Sequence, residues 1–207
     1  MTLTEVLVVT VVLAVLVVVL LPAFIADRPS HAPRIKCVSN LKEIGLAFMM
    51  WAGDHNDKYP IEISVADGGT MELAATGNVL ATFQIMSNEL STPKVLFCPA
   101  DTVHTITNTF GVNFTAKNIS YFIGLDANTN RSQAFISGDD NFAVGGVPVK
   151  SGLLEISTNA PITWTAARHK FAGNIGLADG SVQQVNDQLL VQKLTETGFA
   201  TNRLAIP

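Results

Sequence analysis

Cysteine occurs twice in the 207 residues, tyrosine and tryptophan twice each, and charged side chains make up 14% of the chain. No lysine or arginine precedes Arg28, and no glycine precedes Gly45. Each shortage excludes something. Two cysteines cannot build the dense disulfide scaffold of a small secreted domain. With 13 basic against 17 acidic residues the formal charge is −4. The basic patch that grips a phosphate backbone is therefore missing, and no nucleic-acid partner is expected. An apolar start without a preceding Lys or Arg lacks the positive n-region of a cleavable secretory signal. Four histidines, His31, His55, His104 and His169, are scattered without zinc spacing.

What the chain has in excess is apolar sequence at one end. Residues 6–25 carry no charge and consist almost wholly of Val, Leu and Ala. As a helix this run rises about 1.5 Å per residue, close to the 30 Å or so of a bilayer core. It is apolar on every side, so it has no single face to lay on a globular body. Residues 1–33 accordingly form a hydrophobic stalk with a Pro-containing bend (Pro29, Pro33), and residues 34–207 a separate head large enough for one core.

Glu5 is the anomaly in the stalk, because a carboxylate at the edge of lipid is costly unless a positive charge neutralises it. An α-amino group is the only cation nearby, and the Met1 amine of the same helix is badly aimed. A neighbouring copy shifted by about one helical turn would bring its own Met1 amine to Glu5.

Met1-Thr2-Leu3-Thr4-Glu5-Val6-Leu7-Val8-Val9, the apolar run after it and Leu21-Pro22-Ala23 resemble the mature N-terminus of type IV pilins and type II secretion pseudopilins. The resemblance implies removal of a short leader before residue 1, methylation of the new amine and a need for Glu5 in assembly. It also implies a pilin fold of class α+β. In that fold a long N-terminal helix, kinked or melted near Pro22, packs through its C-terminal half on an antiparallel sheet. Pro22 removes a backbone donor, and a short extended segment is expected within residues 15–23. Three further stretches resemble a pseudopilin-like branch frequent in planctomycetes and verrucomicrobia. These are Cys37-Val38-Ser39-Asn40-Leu41-Lys42-Glu43-Ile44-Gly45, Phe97-Cys98-Pro99-Ala100-Asp101, and Arg168-His169-Lys170 leading to Asn174 and Asp179-Gly180.

The function so implied is structural and not enzymatic. A subunit would move from the inner membrane, through pilus or secretion machinery, into a helical homopolymer on the cell surface. One alternative is a pseudopilin in a short periplasmic filament, and another is a membrane-tethered surface-binding module. With the head outside the cytoplasm, Cys37 and Cys98 are expected to form a structural bridge. Two free buried thiols, or a redox or metal role, are the other readings.

The head divides by pattern. Residues 34–53 carry an apolar stripe at helical spacing, Cys37, Leu41, Ile44, Phe48 and Trp51 or Ala52, that should lie on a sheet. A short helix is expected within 73–86. Strand-like runs cover 119–125, 134–137 and 162–166. Residues 174–178 and 181–185 flank Asp179-Gly180 as a hairpin with a type I′ turn. A helix over 187–197 ends at Gly198, and 198–207 reads as a tail draped over the sheet or a neighbour.

Chemistry is thin. A triad drawn from Ser181, His169 and Asp179 lacks the strand-to-helix elbow around its serine, and His169 is expected to bond backbone or to pack beside Phe171. Asp126, Asn128 and Asn130 alternate like ligands of a calcium loop. Arg131 holds the glycine place, however, and Ser137 the terminal glutamate place. Asp139 and Asp140 add carboxylates nearby, so calcium is the one candidate ion and no other cofactor is expected. Asn113, Asn118 and Asn130 each open a glycosylation sequon.

Overall fold

The computed structural model describes residues 2–25 and 32–207, with side chains of the first segment described as far as Val18. The chain divides into two compact units, Met1–Ala32 and Pro33–Pro207.

The first unit holds helix α1 (Leu3–Ile25). The extended segment expected within 15–23 is absent, since α1 stays helical through Pro22. A proline deletes one N–H and strains one turn, and the remaining ladder of the apolar helix carries on around it. Among the described residues no helix is long and apolar enough to cross a membrane.

The second unit is α+β. It opens with α2 (Ala32–Asp54), whose Cys37, Leu41, Ile44, Phe48, Trp51 and Ala52 are all buried. The expected helix in 73–86 is split into α3 (Met71–Ala74) and α4 (Val79–Ile85), followed by α5 (Ser87–Leu90). The break falls at Gly77, with φ 86°. A Cβ there would sit 2.2 Å from the Gly152 carbonyl carbon, so only glycine lets this turn approach the sheet. Asn78 then restarts the helix by accepting from the Ala81 N–H at 3.2 Å.

The strands are β1 (Tyr121–Gly124), β2 (Phe135–Asp139), β3 (Phe142–Val144), β4 (Val147–Pro148), β5 (Gly152–Ser157), β6 (Ile162–Trp164), β7 (Gly173–Leu177), β8 (Val182–Val185) and β9 (Thr201–Ile206). Helix α6 (Asp187–Glu196) precedes the last strand, N-capped by Asn186, whose Oδ1 accepts from the Leu189 N–H. Six strands form an antiparallel sheet ordered β5-β9-β1-β2-β7-β8, and three form a small sheet β4-β3-β6. The expected tail is therefore a strand inside the sheet. β9 pairs with β5 from Thr201 opposite Ser157 to Ile206 opposite Gly152, and with β1 on its other side.

Both faces of the large sheet are covered, which is why β1, β2 and β7 are buried at every position. On one side Tyr121, Ile123, Ile136 and Ala205 join the α2 stripe. On the other, Phe122, Ile175, Leu177, Leu204 and Ile206 join Leu190 and Leu194 of α6 and Trp164 of β6. Edge-to-face contacts from Phe122 to Phe142 and from Phe142 to Trp164, each with centroids 6.0 Å apart, tie the two sheets together.

The β7–β8 hairpin corrects the expected turn type. Of Asp179 and Gly180, only Gly180 takes a positive φ, 79°. Gly180 N–H donates to the Leu177 carbonyl and Leu177 N–H to the Ser181 carbonyl, both at 2.9 Å. This is a three-residue loop with a type I turn and a glycine bulge, the next commonest hairpin solution. Asp179 avoids the left-handed region, which is costly for a residue with a Cβ. It uses its Oδ1 instead to accept from the Ser181 N–H at 2.9 Å.

Candidate functional site

The head concentrates its buried charge at one place, where the loop after Cys98, the end of β2 and the loop before β7 converge behind α2. Arg168 is the hub, with a side chain only 5% exposed. Its Nη1 donates to the Ser120 carbonyl at 2.7 Å, and its Nη2 donates to Asp140 and lies 3.2 Å from Asp101 Oδ2. Asp139 Oδ1 stands 4.0 Å from Nη1. A planar guanidinium can serve several oxygens at once, as a lysine ammonium in that place could not.

Asp101 is held from several directions. Its Oδ1 accepts from the backbone N–H groups of Val103 and His104, and its Oδ2 accepts from His104 Nδ1 at 2.7 Å. Burial alone would raise its pKa. The His104 hydrogen bond, the Arg168 charge and the donors from Ser120 and Val103 outweigh that and hold the carboxyl far below the usual carboxylate range.

Asp139 lies deeper, fully buried in the sheet. Burial pushes its carboxyl up, against the opposing pull of His169, Arg168 and two donors from Asn174. His169 faces it, with Nε2 3.5 Å from Asp139 Oδ2 and 3.5 Å from Cys98 Sγ. Burial lowers the histidine, the Asp139 charge raises it, and the cations Arg34 and Arg168 lower it again, for a net downward shift. His169, Lys170 and Phe171 all take left-handed backbone angles, φ 51°, 53° and 60°. That run costs on the order of 1 kcal/mol or more per residue and persists because the surrounding contacts hold it.

Cys37 and Cys98 are bridged, with Cα atoms 5.2 Å apart, and both side chains are fully buried. The free-thiol alternative is thereby removed for this state. The bridge pins α2 to the loop that carries Asp101. Asn40, one turn further along α2, donates to the Phe97 carbonyl at 2.8 Å and strengthens the same junction.

A cleft of about 250 Å³ opens beside the hub, lined by Asp101, His104, Asp140, Asn141, Thr165 and Arg168 among others. Its charged walls are already satisfied by one another. As built, the cluster is a clamp joining α2, both loops and the sheet, without a nucleophile poised against a base.

Several expected site residues fall elsewhere. Met1 lies outside the described residues, as does His31. Glu5 sits in the exposed first turn of α1, its Oε2 accepting from the Thr2 N–H at 2.7 Å. Asp126 gives both oxygens to Arg203, at 2.8 Å to Nε, 2.6 Å to Nη2 and 2.7 Å to the backbone N–H. Asn128 Oδ1 accepts from the Asn130 N–H. Of the calcium candidates Asp126, Asn128 and Asn130, the one carboxylate is thus paired with a guanidinium. Asp139 and Asp140 turn to Arg168, not to that loop.

His169 turns to Asp139 and Cys98, while Phe171 is 61% exposed. His55, expected as an isolated loop residue, stacks on Trp51 at 3.9 Å, and His104 pairs with Asp101. Ser181 and Asp179 belong to the hairpin turn. Of the sequons, Asn118 is buried with its amide spent on Thr105, while Asn113 and Asn130 are exposed.

The Arg168 hub was missed as a unit. Asp101, Arg168, His169 and Asn174 each stood inside a noted motif, yet nothing in their spacing signals that they meet. The chain matches no family model, no curated protein and no solved structure.

Proposed function

We propose that the chain is the structural subunit of a type IV pilus-like filament, built by packing of its N-terminal helices along an open screw axis. One observation carries this reading. Every side chain of residues 3–18 is exposed in the single chain, and all but Thr4, Glu5 and Thr10 are apolar. Apolar surface on that scale leaves water only by entering lipid or by packing on something equally apolar. The apolar residues continue in sequence to Ile25, so lipid can hold the helix before assembly and a bundle of like helices after it.

Glu5 supplies the register. Inside a bundle its charge is tolerable only beside a cation, and the leading amine of an adjoining copy is that cation. The disulfide-closed head would form the outer wall. The reading rests on the N-terminal sequence and the all-round apolar helix.

Sheared surface material examined by electron microscopy, with Glu5→Ala as the variant, tests it. Filaments from the parent chain and none from the variant are expected. Normal filaments from Glu5→Ala sink the assembly mechanism. A parent chain that stays monomeric with its surface binding intact makes it a tethered module, and fibres confined to the periplasm make it a pseudopilin.

A further inference from the structure

The bridge lies among other metal-binding side chains. The Sγ atoms of Cys37 and Cys98 and a ring nitrogen of His169 all fall within 4.8 Å of one another. Asp139 adds a fourth donor, its Oδ2 3.5 Å from His169 Nε2. Its Oδ1 is buried without a hydrogen-bond partner. All four side chains are withdrawn from water, with His169 2% exposed and Asp139 fully buried.

From these contacts we propose that the reduced chain binds one zinc-type divalent ion through Cys37, Cys98, His169 and Asp139, and that closing the disulfide expels it. Three of the four donors are already gathered, the two sulfurs and the histidine nitrogen, and Asp139 stands beside the histidine at the edge of that group. Zinc bonds of about 2.3 Å to sulfur and about 2.0–2.2 Å to nitrogen and oxygen place donor atoms roughly 3.4–3.8 Å apart. The His169 Nε2 to Cys98 Sγ and His169 Nε2 to Asp139 Oδ2 separations are both 3.5 Å. The two sulfurs must part, as they do when their bond is cut, and the Asp139 carboxylate must close on the group that they form with His169.

The chemistry balances with a dithiol as reductant. The dithiol delivers two electrons and two protons, the Cys37–Cys98 bond breaks, two thiols form, and the reductant becomes a disulfide. Metal binding then releases the two thiol protons, because thiolates are the ligands. In reverse, a disulfide oxidant takes two electrons from the thiolates, re-forms the bridge and frees the ion. Arg168 and Asn174, which hold Asp139 in place, are positioning residues for this site.

Cobalt(II) is the probe, added to the full-length chain in detergent, either oxidised or reduced with a phosphine under nitrogen. One equivalent bound to the reduced chain is expected, with intense tetrahedral ligand-field bands and a thiolate-to-cobalt charge-transfer band. Zinc should displace it, and the oxidised chain should show neither band. His169→Ala should weaken binding by at least about tenfold.

Circular dichroism follows folding throughout. A reduced chain that loses near-ultraviolet structure and regains it with zinc supports the site, since structural metal binding is coupled to folding. Absence of stoichiometric tetrahedral cobalt, whether the reduced chain is folded or not, overturns the proposal. So does an unchanged affinity in His169→Ala. Should that variant fail to fold, X-ray absorption of the zinc-loaded parent chain decides. Two sulfur neighbours with at least one imidazole are expected, and oxygen neighbours alone overturn it.

Discussion

Asn174 donates twice to one oxygen of Asp139, from its backbone N–H at 2.8 Å and from Nδ2 at 2.7 Å. This double contact holds a carboxylate fully buried inside the sheet, opposite Tyr121. It leaves the other oxygen turned toward Arg168. The whole clamp depends on such one-sided arrangements, in which a buried charge is tolerable only while its partners stay.

Arg168→Met is therefore expected to destabilise the head by about 3–5 kcal/mol, because it leaves Asp101 and Asp140 buried without their cation. Arg168→Lys should recover little, since one ammonium cannot reach the Ser120 carbonyl and both carboxylates together. Urea unfolding midpoints of the three proteins check this.

Asn174→Leu should cost about 1–3 kcal/mol by removing a side-chain donor from a buried acceptor. The loss should shrink in an Asp139→Asn background, where no charge needs that donor. A double-mutant cycle measures the difference, and simple additivity would contradict the pairing.

The pH dependence follows from two opposite shifts. Asp101 is depressed in the folded chain, so its stabilisation is complete above the unfolded value near 3.9 and is lost as pH falls below it. Asp139 is raised, so its contribution is present below that value and lost as pH rises through its folded pKa. Unfolding midpoints should therefore fall for the parent chain as pH drops from about 4 toward about 2, and Asp101→Asn should flatten that acid limb. Above about pH 4 the raised Asp139 should add stability on acidification, and Asp139→Asn should remove that gain.

Gly180→Ala forces a side chain to φ 79° and sets its Cβ 2.6 Å from Met49 Cε. Because the Met49 terminus can swing away, the cost is mainly backbone, about 1 kcal/mol, or roughly 2–4 °C in Tm. Gly180→Asn should lose less, since asparagine tolerates the left-handed region better. Equal losses would mean that the Met49 contact dominates.

Reduction of Cys37–Cys98 should add two hydrogen masses to the intact chain. It should also lower stability by up to about 4 kcal/mol for a loop of this length. With zinc present, part of that loss should return if the metal site described above forms.

Much of the local architecture was legible in the residues. The α2 stripe from Cys37 to Ala52 is written in helical spacing, α6 in its amphipathic pattern and Gly198 stop, and the β7–β8 hairpin in Asp179-Gly180. Each of these rests on contacts between near neighbours in the chain, and local preference decides them. The turn type escaped because Asp-Gly serves two hairpin geometries, and the choice depends on which one the flanking pairing accepts.

The sequence by itself determined an apolar N-terminal run preceded by Glu5, the helices and strands read by local pattern, and the two cysteines available to bridge. Tertiary structure alone decided that 201–206 is an inner strand, because its partners β5 and β1 lie about 50 and 80 residues away and no local pattern names them. It alone decided that Asp101, Asp139, Asp140, Arg168 and His169 meet beside the disulfide. Buried charges choose one another by proximity after folding, and a linear chain records their identities without recording that proximity.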